Sequence, residues 1–207
     1  MNSEFEFLET ADGSPTLSWE GSDGSKESMH NSRGALSESL YIYYSAIQFV
    51  TKRQWAPRFL SVGLGLGYNE LIIAAHCMKE KIPFESVCIE SFEKSSILKK
   101  RFSSWLRGAA PSKEELEWWR NYYELTEKIA KNFNVSSTDL KAFLNGLYAN
   151  GQWNLRGELE PDSAIGGTFS AVLYDAFSSA TDPHLWDERF LEHLIDEACL
   201  PNSVFVT

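Results

Sequence analysis

The sequence has no apolar run approaching the roughly 20 residues that a membrane-spanning helix needs. Its start, Met1 to Glu9, is acidic and lacks the basic-then-apolar order of a signal peptide. The chain therefore reads as soluble and cytoplasmic, with no membrane partner. Cysteine is scarce: Cys77, Cys88 and Cys199 are odd in number and have no paired spacing. Two of them lie in apolar stretches, so they read as buried free thiols of a reducing compartment. His30, His76, His184 and His193 show no ligand spacing and there is no Cys-x-x-Cys, which excludes a recognisable metal centre. No Gly-x-Ser-x-Gly elbow points to a serine hydrolase. Positive charge is also short. The 19 Lys and Arg face 29 Asp and Glu, a net charge of −10 that argues against sequence-independent binding to a nucleic acid backbone. Lys94, Lys99, Lys100, Arg101 and Arg107 read either as a local basic patch or as a solvated helix face.

What is present suits one domain. Hydrophobic residues make up 43% of 207, enough for a core. Glu4 to Trp19 reads as a β-hairpin turning at Asp12-Gly13. A Ser/Gly-rich loop, Gly21 to Arg33, leads to a helix over Ser37–Val50. Phe59–Val62 reads as a buried strand ending at Gly63-Leu64-Gly65-Leu66-Gly67, with Asn69 as cap of a helix Glu70–Lys81. Ser86–Ile89 is a second strand, closed by Glu90. Three helical pieces follow between Phe92 and Leu147, the second opened by a Ser112/Glu115 capping box. Trp153–Leu159 and Phe169–Tyr174 are further strands. Asp182–Leu200 is an amphipathic helix, and Ser203–Thr207 begins a fifth strand of the parallel sheet. The sections are 1–34 (hairpin and loop), 35–90 (cofactor half), 91–151 (helical insertion) and 152–207 (catalytic half).

Strands alternating with helices after residue 58 predict an α/β fold with a mainly parallel, Rossmann-like sheet and helices on both faces. Ligands of such sheets bind at the carboxyl ends of the strands. Four features are read at those ends: Gly63-x-Gly65-x-Gly67, Glu90, Glu158 and Asp175. The glycines let backbone approach a ligand, and the next helix start offers free N–H groups. A carboxylate ending the following strand, as Glu90 is read, can accept from both ribose hydroxyls. No Gly-Lys-Ser/Thr follows the loop, and its third glycine comes too early for a dinucleotide fingerprint. A ribose with an amino-acid carboxylate fits better than a pyrophosphate, and S-adenosylmethionine has both. Glu158 can accept from the adenine amine, although Gly157-Glu158-Leu159-Glu160 also reads as an acidic turn.

These residues resemble the MnmC-like methyltransferases. Leu173-Tyr-Asp175-Ala-Phe177-Ser178 with Asp182-Pro-His-Leu-Trp186 is similar to that family's strand-end signature. Gly63-Leu-Gly65-Leu-Gly67-Tyr-Asn69 is similar to its glycine loop. Thr10–Leu17 and Glu27–Tyr41 resemble its N-terminal segments. The resemblance implies a class I methyltransferase that methylates an aminomethyl group on the wobble uridine of tRNA. It implies a cofactor site of Gly63, Gly65, Gly67, Asn69, Glu90 and Glu158. Asp175 and Phe177 would sit beside the acceptor, closed over by Met29, His30 and Glu38. Asp175 would orient the amine or relay its proton, with Tyr174 and Phe177 excluding water. Ser179 and Asp182 depart from the family pattern, where proline and asparagine are usual. The chain stops at the fifth strand, and the complete class has two more, so a homodimer through the open sheet edge or the helical insertion is a further expectation. Two other readings stand beside this one: a methyltransferase with a non-tRNA acceptor, and an inactive methyltransferase fold acting as an interaction protein.

Overall fold

A computed structural model describes residues 5–20 and 26–207. Glu4 of the expected hairpin and residues 21–25 of the expected loop lie outside the described residues. Among the described residues no helix is long and apolar enough to cross a membrane.

The chain opens with a three-stranded antiparallel sheet of β1 (Phe5–Glu9), β2 (Pro15–Glu20) and β3 (Lys26–Ser28). β3 falls inside the stretch expected to be a loop, and it pairs with β2 through Ser18–Ser28 to Glu20–Lys26. The β1–β2 turn does more than reverse the chain. Asp12 accepts from the Ser14 N–H at 3.0 Å and, with its other oxygen, from the Ser37 N–H at 2.9 Å. Thr10 and Ser14 hydroxyls receive the Ala35 and Leu36 N–H groups. The turn thus caps α1 (Ala35–Lys52), whose own N-cap, Gly34, has no side chain to do so. Burial opposes the charge on Asp12, but the Ser14 and Ser37 hydrogen bonds prevail and hold its carboxyl well below the usual range.

The second sheet is parallel and five-stranded: β4 (Arg58–Val62), β5 (Cys88–Phe92), β6 (Trp153–Arg156), β7 (Phe169–Tyr174) and β8 (Cys199–Val206), in the order β6-β5-β4-β7-β8. The order reverses beside β4, which places a crevice between the ends of β4 and its neighbours. Alternate residues of the strands feed two cores. Phe59, Ile89, Ala171 and Leu173 pack with α1, α2 (Tyr68–Lys79), α3 (Ser96–Leu106), α4 (Leu116–Phe133) and α5 (Ser137–Ala149). Leu60, Val62, Phe92, Val172 and Tyr174 pack with α6 (Glu188–Ala198) and Leu185.

Several expected boundaries are corrected. β5 does not stop at Glu90; Ser91 and Phe92 stay paired to β4 and β6. Helix α2 is capped by Gly67 in the left-handed region (φ 81°), so Asn69 lies inside it and is not its cap. β6 ends at Arg156 rather than Leu159. Asp182–Leu200 divides into a 3-10 turn, Pro183–Trp186, and α6, because Asp187 caps a fresh helix through the Arg189 and Phe190 N–H groups. The Ser112/Glu115 capping box is present ahead of α4. The aromatic stripe of the insertion is core: Trp118, Trp119 and Tyr122 are buried, and Tyr123 is the exposed one of the four.

Candidate active site

Backbone pairing continues one residue beyond the strands. The Gly63 N–H donates to the Phe92 carbonyl (3.0 Å), the Asp175 N–H to Val62 (2.9 Å) and the Glu93 N–H to Gly157 (3.0 Å). This lines up Gly63, Glu93 and Asp175 side by side at the carboxyl ends of β4, β5 and β7. They border an open-mouthed cavity of about 120 Å³ at the strand ends, where ligands of such sheets bind.

Gly63 forms the floor with φ 89°, and a Cβ there would sit 2.3 Å from the Asp175 carbonyl oxygen. Only glycine permits that approach. Gly65, at φ 52°, donates its N–H to Glu93 Oε2 at 3.0 Å. Glu93 also accepts the Ser95 N–H at 2.7 Å, so two backbone donors fix a buried carboxylate at the cavity wall. Burial outweighs those donors and raises its pKa.

Across the cavity stands Asp175. The Tyr43 hydroxyl donates to its Oδ1 at 2.8 Å, and the Asn69 carboxamide donates to its Oδ2 at 3.4 Å. Burial, with the charges of Glu38 and Glu70 added, pushes the carboxyl up to about 7 despite those two hydrogen bonds. Burial and the Asp175 carboxylate together hold the Tyr43 proton on well above the usual phenol range. Tyr43 is therefore a fixed donor and Asp175 a group that gains and loses a proton near neutrality.

The N-terminal sheet closes the cavity. Glu27, Ser28, Met29 and His30 line it, and the Glu27 carboxylate accepts from the Ser178 N–H (3.2 Å) and from the Thr181 hydroxyl. His30 is held by Thr16 (3.0 Å) and lies against Tyr68; burial depresses its pKa to about 4, so it is neutral. Lys94 is the only lysine or arginine among the described lining residues, and Asp182 Oδ1 takes it up at 2.5 Å. Glu27, Glu93, Glu158, Asp175 and Asp182 thus outnumber it, and the lining favours a cationic ligand over a phosphate.

The structure brings together Gly63, Gly65, Asn69, Glu158, Asp175, Phe177, Met29 and His30 from the expected set. Four others lie elsewhere. Glu90 is inside β5, buried, and bound by Arg156 Nε (3.4 Å) and the Gly166 N–H (3.0 Å). Gly67 is a packing position, where a Cβ would meet the Phe102 ring at 2.2 Å. Tyr174 points to the α6 side, donating to the Leu185 carbonyl and lying against Trp186. Glu38 is outside the lining and accepts the Asn31 N–H at 2.8 Å, which anchors the loop after His30. Glu93, Tyr43 and Glu27 are the residues that sequence reasoning missed. Only Glu93 left a signal: a strand running on to the apolar Phe92 puts Glu93, rather than Glu90, at its end.

No family model matches the chain, and no curated protein matches it. Solved structures do. A structure of MnmC2 from Aquifex aeolicus superposes over the whole chain with a TM-score of 0.61 at 24% identity. The fold is that of MnmC2. The chain spans 60% of the MnmC2 chain's length. The glycopeptide N-methyltransferase MtfA, solved with sinefungin, aligns over 78% of this chain and 47% of its own at 15% identity, with a TM-score of 0.40. That second likeness is too loose to bear on the site. The shared fold with MnmC2 agrees with the resemblance carried by the glycine loop and the Asp175 motif.

Proposed function

We propose that this chain is an S-adenosylmethionine-dependent methyltransferase that methylates an amine. One observation carries the reading: the glycine turn, Glu93 and Asp175 converge at one strand-end cavity whose lining is acidic. A cofactor with a sulfonium and an ammonium suits that charge, whereas a dinucleotide pyrophosphate does not. Gly63 and Gly65 would cradle it, Glu93 would accept from its ribose hydroxyls, and Glu158 would stand at the adenine. When bound, it supplies a methyl group activated by positive sulfur.

The protein's part is to present a neutral amine in line with that methyl group. A carboxyl near pH 7 can take the amine proton and release it to solvent. Tyr43 occupies one oxygen of that carboxyl, and the other, which takes only the long 3.4 Å contact from Asn69, keeps accepting capacity for the acceptor amine. Phe177, with Trp19 at 6.1 Å, offers a ring surface against which a base can lie. The resemblance and the MnmC2 fold support the aminomethyl group of the tRNA wobble uridine as acceptor. The three free cysteines support a cytoplasmic setting.

A second reading, an acceptor other than tRNA, is favoured by one observation. The sole lysine among the described lining residues is already paired with Asp182, and the chain carries a net charge of −10. Transfer of a labelled methyl group to tRNA carrying the unmethylated aminomethyl base tests the proposal. Incorporation is expected, and Asp175→Ala should reduce it by about 100-fold or more. Turnover of that variant within about twofold of wild type would refute the role of Asp175.

A further inference from the structure

Asn69 is placed strangely for a residue in the first turn of a helix. It is 2% exposed, yet it belongs to the cavity lining. Its Nδ2 donates to Asp175 Oδ2 at 3.4 Å, and its Oδ1 is buried with no hydrogen-bond partner among the described residues. The orientation is dictated by charge: turned over, the amide oxygen would face a carboxylate oxygen. A buried amide oxygen without a donor is unfavourable, and native proteins rarely leave one so.

Asp175 is partly satisfied in a complementary way. Tyr43 occupies Oδ1 at 2.8 Å, which leaves the Oδ2 side, next to Asn69, with spare accepting capacity. Asn69, from α2, and Asp175, from the end of β7, both belong to the cavity lining, and Asn69 Oδ1 is closed to solvent there, so it meets an entering amine only as the carboxamide shifts. A neutral primary amine has two N–H groups and one lone pair. Holding both N–H groups aims the lone pair away from the clamp.

We propose that Asn69 Oδ1 and Asp175 Oδ2 form a two-acceptor clamp, with Asn69 the residue that selects an acceptor nitrogen by its number of N–H groups. Asn69 then serves the acceptor and not the cofactor. This rests on the methyltransferase reading above. In the transfer, the nitrogen lone pair forms the N–C bond while the C–S bond breaks, its electron pair going to sulfur. The proton gained in excess on nitrogen passes to Asp175 Oδ2 and then to solvent. The neutral product amine keeps one N–H and satisfies only half the clamp, which favours stopping after one methyl group.

The test is a binding series on protein saturated with S-adenosylhomocysteine, followed by NMR at an alkaline pH that keeps the amines neutral, with benzylamine, N-methylbenzylamine and benzyl alcohol. Benzylamine should bind about tenfold more tightly than either single-donor analogue, the increment of one satisfied buried acceptor. Asn69→Ala should bring the three within about twofold, while S-adenosylhomocysteine affinity, measured by calorimetry, stays within about twofold. Equal affinities on the wild-type protein would overturn the clamp, and this comparison needs no variant to fold. Asn69→Ala weakening S-adenosylhomocysteine as much as benzylamine would also overturn it. Failure of folded wild-type protein to bind S-adenosylhomocysteine would overturn the methyltransferase reading itself, a distinct result.

Discussion

Tyr43→Phe removes one hydroxyl and leaves a buried ring in place. That hydroxyl donates to Asp175 Oδ1 at 2.8 Å, and it lowers a carboxyl that burial otherwise raises. A hydrogen bond to a charged group contributes about 1.5 kcal/mol at the modest end, equal to about one pH unit of pKa. Asp175 titrates at about 7, so the variant carboxyl should titrate about one pH unit higher. At neutral pH its ionised fraction would fall from about one half to about one tenth. The assay is kcat/KM for methyl transfer from pH 6 to pH 10. The acidic limb of the profile should move up by about one pH unit, with a roughly fivefold loss at neutrality and recovery at the alkaline end. A uniform loss at every pH would mean that Tyr43 acts by position alone. An unmoved profile would mean that Asp175 is not the titrating group.

Two further predictions concern the scaffold. Glu70 is fully buried in α2, where its Oε1 accepts the Ser91 hydroxyl, and burial pushes its carboxyl up to about 7 from its ordinary 4.5. The folded state therefore holds a proton that the unfolded chain has lost between those values, and stability from this group falls as pH rises through 7. Glu70→Gln should match wild type near pH 4.5 and exceed it at pH 8 by on the order of 3 kcal/mol, measured by urea denaturation. An advantage largest at low pH would contradict that sign. Gly63→Ala should cost more than about 3 kcal/mol, since its φ of 89° is combined with a 2.3 Å approach to a backbone oxygen. Gly151→Ala, at φ 72° with nothing within 4 Å of its Cβ, should cost only about 1–2 kcal/mol. Equal melting temperatures for the two variants would refute the close approach as the reason for Gly63.

The succession of strands and helices after residue 58 was legible because strands such as β4 and β7 are short apolar runs bounded by glycine or charge. Phe169–Tyr174 is seen with the boundaries its pattern predicts. The ends of such strands were less legible, because a strand buried on both faces has no polar alternation to mark its limit. Glu90 reads as a terminator until Arg156 and Gly166, far along the chain, are seen to satisfy it inside the sheet. Asn69 reads as a cap, yet Gly67 fills that place and frees the carboxamide for Asp175. Tyr174 adjoins Asp175 in sequence, but its side chain packs on the other face, against α6. Tyr43 sits in an apolar helical stripe, and only its partner 132 residues away distinguishes it from core. Local chemistry was readable; pairings across the sheet were not.

The proposed cofactor would sit between the glycine turn and Glu93. Calorimetric titration of the chain with S-adenosylmethionine and S-adenosylhomocysteine, beside Glu93→Ala and Glu90→Gln, tests that placement most directly. Saturable binding at one site is expected, weakened about tenfold or more by Glu93→Ala and within about twofold for Glu90→Gln. No binding by the folded chain, or a larger loss at Glu90 than at Glu93, would contradict it.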